Sequence, residues 1–357
     1  MTKKLWHIVF ALAVVVIMAA ACHRRPLEDA SELVRIRVDV NVRAITNITN
    51  RTRYTNNPRI DEITKEKEDQ LNTDVMRCLV YNPATGTLSN QSFLTSKSYD
   101  ENGDQVFSGN LNISFGDFDF LLYNFDTPTT QVKGENREDK ILAYTNPLPP
   151  SQRAAVLGTK SDDYDNVSIN YEPEHLMVAR KFNTRVSPHD TLVVIRTEAQ
   201  SIIDTYYIQI HVEGMQYATT RATAVITGLA PSNAFGLGVR TDDPTAAVCF
   251  DLRQSTDVTI EGDNKDVMCA VFNTFGKIED VSSTLRVTFN VVDVSGKLQQ
   301  KDVNLDKIFK TKEAIENHWL LIDETWVIEK PDFPTPTGGG FQPVVGEWEE
   351  TEGSISL

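Results

Sequence analysis

Apolar and polar residues alternate without interruption along residues 34–42, VRIRVDVNV. A period of two is typical of a β-strand that buries one face and exposes the other. The same alternation returns in residues 206–212 and 285–294, which lie far along the chain. The pattern therefore predicts half-buried strands at three widely separated places.

Further short apolar runs are separated by turn-forming Gly, Pro, Asn and Asp residues, and we predict that these runs are strands too. They lie at residues 75–81, 87–94, 92–99, 106–115, 118–125, 176–179, 191–196, 222–229, 235–239, 247–252, 257–260, 267–275 and 297–305. Many short strands without a fixed repeat favour β-sandwiches over a propeller or a solenoid.

Helical signals are few. We expect short helices at residues 151–157 and 312–317, the first of them capped by Ser151 and closed by Gly158. Residues 46–73 are polar and predict a long loop, or a loop with one helical turn. The predicted fold class is therefore all-β.

At roughly 100–200 residues per domain, a chain of 357 residues predicts two tandem β-sandwich domains. We place their boundary in the irregular stretch around Pro188. The predicted organisation is a lipoprotein signal peptide at residues 1–21, a linker at 22–33, an N-terminal sandwich at 34–185, a C-terminal sandwich at 186–330, and a Pro/Gly-rich spacer with tail strands at 331–357.

The chain begins with Lys3 and Lys4, an apolar run and small residues, which is the pattern of an export signal. Its end, AAAC, resembles the lipobox of bacterial lipoproteins and implies cleavage before Cys22 and acylation of that residue. Several acyl chains form a stable membrane anchor, whereas one chain binds only marginally. An ordinary secretory signal with a chance cysteine and an uncleaved anchor helix are the alternatives.

The chain carries a net charge of −15, with Asp and Glu spread among neutral residues. Such a body should repel nucleic acid and anionic lipid, so we expect neither as a partner of the folded domains. A hydrophobic content of 40% is enough for real cores and excludes a disordered protein.

Besides Cys22, the cysteines are Cys78, Cys249 and Cys269, too few for a disulfide scaffold. Cys249 and Cys269 form the one plausible pair, and buried free thiols are the favoured alternative.

The sequence contains no catalytic pattern. No two histidines have the i, i+4 spacing of a zinc protease, and neither a nucleophile elbow nor a phosphate-binding glycine loop is present. Acidic pairs such as Asp117 and Asp119 are common in the turns of all-β proteins. We predict that the protein is not an enzyme and has no catalytic residue, metal site or cofactor.

Several stretches in order resemble the FimB-like fimbrial anchor lipoproteins of Bacteroidetes, which belong to type V fimbriae. They are residues 75–88, residues 116–127 with the pair Tyr123-Asn124, the VRIRV strand after the lipobox, residues 208–229, and the acidic-aromatic tail 338–357.

This resemblance implies two transthyretin-like sandwiches and an outer-membrane, lipid-anchored, surface-exposed protein. Its partners would be fimbrial stalk subunits, joined by strand addition, and the membrane through the N-terminal lipid. Stalk subunits of the family lose their first strand by cleavage after an arginine, whereas an anchor must keep it. The expected donor is then the tail, and Arg51, Arg53 and Arg59 are best explained as ordinary loop residues.

The alternative is a surface lipoprotein that binds a host or glycan ligand, as a tip adhesin or a nutrient-uptake protein does. Such a protein should expose an aromatic platform. Trp319 and Trp326 flank the segment LLIDET, where core packing explains them as well as a sugar platform does.

Overall fold

The structure is a computed structural model that describes residues 33–43, 48, 57, 59–69, 72–160, 164–241, 246–260, 263–278 and 285–332. The strands of the first half are β1 (Leu33–Val42), β2 (Met76–Asn82), β3 (Thr87–Leu94), β4 (Ser96–Tyr99), β5 (Gln105–Ser114), β6 (Gly116–Asn124), β7 (Thr130–Lys133), β8 (Leu142–Thr145), β9 (Ser168–Tyr171), β10 (Met177–Val186) and β11 (Leu192–Ser201).

The strands of the second half are β12 (Asp204–Glu213), β13 (Ala218–Thr227), β14 (Ser232–Ala234), β15 (Val239–Arg240), β16 (Ala246–Asp251), β17 (Arg253–Ile260), β18 (Asp263–Thr274), β19 (Arg286–Asp293), β20 (Leu298–Asn304) and β21 (Trp319–Val327). The helices are α1 (Ile60–Asp69), α2 (Pro150–Leu157) and α3 (Lys312–Asn317).

The first sandwich is formed by one sheet that folds over on itself, in the order β3-β2-β6-β10-β11-β1-β5-β4. β10 and β11 pair only at Met177 and Val178, so the sheet bends at this corner. Apolar residues of β1 and β5 then pack against those of β2 and β6, and Ile36, Phe107 and Phe120 are fully buried between them.

The second sandwich has two separate sheets, β17-β18-β12-β21 and β20-β19-β13-β16-β9. Their facing sides form the largest apolar cluster, in which the rings of Phe250 and Phe272 stack 4.2 Å apart. The predicted all-β class with two tandem sandwiches is therefore confirmed.

A small sheet, β15-β14-β8-β7, covers the outer face of β2 and β6 where the two sandwiches meet. Tyr123 packs edge-on against Phe235 there, with 5.5 Å between the ring centroids. This junction cluster buries apolar residues from both halves of the chain, so the sandwiches share a packed boundary.

Strand pairing departs from the predicted division between residues 185 and 186. β11 lies beyond that division, yet it pairs with β1 in the first sandwich over Leu192–Ala199. β9 lies before the division, yet it pairs with β16 in the second sandwich. Backbone ladders between distant segments decide membership of a sheet, and we propose a division near residue 202, where the chain passes from β11 to β12.

Three local predictions were wrong. Residues 235–238, predicted as part of a strand, form the turn between β14 and β15. The polar stretch 46–73 contains the ten-residue helix α1, because Ile60 and Ile63 bury against the second sandwich. The helix α2 has no side-chain cap from Ser151, since the helix already begins at Pro150, whose missing N–H suits the first turn. Its predicted end is confirmed, because the Gly158 N–H bonds to the carbonyl of Ala154.

Candidate assembly site

Strand β1 lies in the interior of its sheet. β1 pairs antiparallel with β5 along its whole length and parallel with β11 over Arg35–Val42. Its buried face is formed by the alternating valines and isoleucine of the sequence pattern, each at most 4% exposed. β1 is therefore held by two ladders and by the core of the first sandwich.

The outer face of β1 is tied down by polar contacts. Asp39 accepts a hydrogen bond from Ser108 (2.8 Å) and pairs with Arg37 (3.0 Å). Asn41 donates to Asp100 at 2.9 Å. Backbone N–H groups of the turn, led by that of Asp104, lower the pKa of the Asp100 carboxyl. The partner of Asn41 therefore keeps its charge in mildly acidic solution.

Asn57 and helix α1, which come after β1 in the chain, lie against the second sandwich. Asn57 is buried, donates to the hydroxyl of Tyr207 and the sulfur of Cys269 at 3.1 Å each, and accepts from Ser255 at 2.9 Å. Helix α1 follows, and Ile63 packs in one cluster with Trp319. The next strand, β2, belongs to the first sandwich, so Asn57 and α1 brace the two units.

The last strand, β21, lies at a sheet edge. Among the described strands it pairs only with β12, in parallel. Ile328 donates to the carbonyl of Glu213 at 2.8 Å, and Gln299 hydrogen-bonds both the N–H and the carbonyl of Glu329. Residues 328 and 329 are therefore firmly bound beside the edge strand β21.

Several residues singled out in the sequence lie outside the described residues, namely Cys22, Arg51, Arg53 and the tail 333–357. Arg59 is exposed at the start of α1. Trp319 and Trp326 are buried, at 0% and 4% exposure, which makes them core residues.

The three described cysteines are free thiols. Cys249 lies in β16 and Cys269 in β18, which belong to opposite sheets of the second sandwich. Burial raises the pKa of the Cys78 thiol to about 12, so this group is inert packing.

An aromatic surface that the sequence pattern does not predict lies on the first sandwich. Phe93 and Phe125 are 45% and 50% exposed, with ring centroids 5.3 Å apart. The guanidinium of Arg77 lies about 5 Å from both rings and pairs with Glu135 at 2.6 Å. The sequence signal for this surface was weak, because Phe93 belongs to a strand whose residues are mostly polar.

The bracing helix was also missed, although its sequence carries a signal. Ile60 and Ile63 have helical spacing, acidic residues occupy the first turn, and Lys67 lies in the last turn.

Across the described ranges, no three His, Cys, Asp or Glu side chains are grouped so that they could hold a metal ion. None of the helices in these ranges has the length and apolar character needed to cross a bilayer.

Comparison with known proteins agrees with this architecture. A family described as "Domain of unknown function (DUF5119)" matches residues 60–251. A candidate fimbrium anchoring subunit of Bacteroides ovatus, Fim4B, is 21% identical over 238 residues, or 64% of this chain. The matched region also spans 64% of the length of Fim4B. The resemblance to fimbrial anchors is thus confirmed.

Among solved structures, a candidate adhesin from Bacteroides ovatus is similar with a TM-score of 0.56 at 15% identity, over 88% of this chain and 98% of that one. The fimbrial anchor protein Mfa2 from Porphyromonas gingivalis has a TM-score of 0.45 at 10% identity, over 82% of this chain and 90% of Mfa2. The first similarity establishes a shared fold, and the second is too low to carry an argument.

Proposed function

We propose that this chain, which belongs to the family described as "Domain of unknown function (DUF5119)", is the lipid-anchored subunit that holds a fimbrium to the outer membrane. The observation that carries the proposal is the double pairing of β1. A lipid on Cys22 would be joined by a short linker to a strand that lies inside a sheet, and the sheet would take the load.

The geometry suits an anchor under tension. Pulling on the N-terminus shears β1 along both ladders, so many backbone hydrogen bonds must break together before the strand can leave. Each such bond contributes about 0.5–1.5 kcal/mol net, and the five buried side chains add the hydrophobic term. Residues 57–69 then bind the second sandwich, so the load reaches both units.

Joining to stalk subunits would occur by strand addition, in which an extended segment pairs with an exposed sheet edge. The position of the first strand in its sheet is filled by β1, which stays joined to the lipid. The tail 341–357 is then the donor, and the chain leaves the second sandwich at Glu329 toward it. No step of this function needs a catalytic group, and we assign the protein a structural role.

The membrane part of the proposal is tested by Cys22→Ala. Without the acylated cysteine, we expect the protein to move from the detergent phase to the aqueous phase in phase separation, and fimbriae to be shed into the medium. The control is Cys249→Ala, which removes a thiol of the second sandwich and should leave both results unchanged. Retention of the Cys22→Ala protein in the membrane would refute lipid anchoring.

The assembly part is tested by deleting residues 341–357. The described sandwiches end before this segment, so we expect wild-type thermal unfolding and wild-type membrane partition. Co-purification with a ladder of fimbrial polymer should be lost. A deletion strain with normally attached fimbriae would exclude the tail as donor.

A second candidate function, binding of a host or glycan ligand, is favoured by the exposed pair Phe93 and Phe125. Exposed aromatic rings can stack on apolar faces of ligands, and Gln91 and Glu135 supply polar groups beside them. A glycan array that gives a signal lost in Phe125→Ala would favour this function over the anchor.

A further inference from the structure

A cavity of about 430 Å³ opens on the second sandwich where β9 ends. β9 pairs with β16 only as far as Tyr171 and Cys249, whereas β16 continues to Asp251. The two strands diverge at this point, because the chain after Tyr171 turns away toward β10. Lys67 of α1 and Val156 of α2 also line this cavity. We call this cavity the socket.

The walls of the socket are mainly apolar. Leu148, Ala155 and Val156 line it, and Tyr171 forms a further wall, with its hydroxyl bonded to Gln152 at 2.8 Å. Such walls pack against methylene groups and exclude water from them. The socket can therefore hold an alkyl group. The charged residues around the socket determine which terminal group that alkyl group can carry.

The residues that line the socket carry more negative than positive charge. Glu172, Glu174 and Asp251 contribute three carboxylates to the lining, and Lys67 contributes the one ammonium there. Lys67 lies 2.5 Å from Oε1 of Glu172, and the same oxygen accepts the N–H of Asn273 at 2.6 Å. Lys67 is thus already committed to Glu172, and the other two carboxylates have no ammonium of their own within the socket lining.

Two groups that line the socket have raised pKa values. Burial, with Asp251 and Glu172 adding to it, raises the pKa of the Cys249 thiol to about 12. Burial also raises the pKa of the Glu172 carboxyl, although Lys67 opposes that shift. Burial is the main cause of both shifts, and the nearby carboxylates add to the shift at Cys249.

We propose that the socket receives the side chain of a lysine or arginine presented by a partner protein. The aliphatic stem of such a residue would lie on the apolar walls, and its cationic end would meet Glu174 and Asp251. A neutral apolar side chain would desolvate the carboxylates without compensation, and an acidic one would be repelled. The inference is independent of the proposed fimbrial function, because it rests on this cavity alone.

The test uses peptides and the full chain in detergent. The probes are acetyl-Gly-Lys-Gly-amide and its arginine counterpart, and their neutral matches carry norleucine and citrulline. We expect calorimetry to give saturable binding of at least one cationic peptide, at least fivefold tighter than its neutral match. Added salt should weaken that binding, since part of the socket is open to solvent.

Substitutions of the socket carboxylates test whether the peptide binds in the socket. Asp251→Asn and Glu174→Gln should each weaken the cationic peptide at least threefold, whereas Glu101→Gln, on an exposed turn of the first sandwich, should not. Asp251 is exposed, so its replacement leaves the fold intact and keeps the test valid if Glu174→Gln is unstable. Equal binding of the neutral peptides, no binding, or equal loss in Glu101→Gln would each overturn the proposal.

Discussion

At the scale of the residue, Gly214 is needed at the ends of two paired strands, β12 and β21. It ends β12 with a φ of +80°, a conformation that L-residues with a side chain rarely adopt. A Cβ built at Gly214 would lie 2.3 Å from the carbonyl oxygen of Ile328, where the chain leaves β21. Glycine is therefore needed for the turn and for the close approach of the last strand.

We predict that Gly214→Ala lowers the free energy of unfolding by about 3 kcal/mol, from the strained φ and the backbone clash together. The matched control is Gly296→Ala, where φ is +88° but no atom lies within 4 Å of the added Cβ. That variant should lose only about 1 kcal/mol. Urea unfolding measures both, and equal losses would show that the contact with Ile328 contributes nothing.

At the scale of the element, helix α1 is stabilised by its packing against the second sandwich. It is a short helix with few apolar residues, and isolated helices of this length are marginal in water. Its buried side, Ile60 and Ile63, rests on the outer face of β12 and β18, and Arg253 pairs with Glu66 at 3.3 Å on its exposed side. The second sandwich therefore holds the helix, and the helix links β1 to β2 across the junction.

We predict that Ile63→Ala lowers the free energy of unfolding by roughly 2–4 kcal/mol, because it leaves a cavity under α1. Amide hydrogen exchange should rise in α1 before it rises in β1, since β1 keeps its own two ladders. Glu62→Ala changes an exposed neighbour on the same helix and is the control. Unchanged exchange in α1 would mean that the bracing helix does not depend on this contact.

At the scale of the whole molecule, the passage between the sandwiches is built around a buried histidine. His175 is 1% exposed, with Nδ1 3.2 Å from Ser201 at the end of β11 and Nε2 3.5 Å from Thr205 in β12. Burial, with a smaller contribution from the charge of Lys67, lowers the pKa of His175 to about 4. The junction is therefore packed around a neutral imidazole.

The buried His175 predicts that the free energy of unfolding depends on pH. In the unfolded chain the histidine binds a proton below about pH 6.5, whereas the folded state resists protonation down to about pH 4. Stability from this group is therefore complete above about pH 6.5 and is lost as pH falls toward 4, by up to about 3 kcal/mol. Thermal unfolding between pH 7.5 and 4.5 measures it, and His175→Gln should flatten the curve. A variant as pH-sensitive as the wild type would assign the effect to other groups.

The sequence by itself determined the local elements. Period-two alternation located β1, β12 and β19, and glycines marked the ends of α2 and β12, because these signals depend on residues a few positions apart. The motifs shared with fimbrial anchors also pointed to the two sandwiches.

Only the tertiary structure decided which distant segments meet. β11 joined β1 rather than the second sandwich, α1 formed where a polar loop was expected, and the socket opened where β9 and β16 diverge. The partners in these contacts are separated by scores to hundreds of residues. Their pairing follows from packing and ladder geometry in the folded chain, for which neither segment carries a local signal.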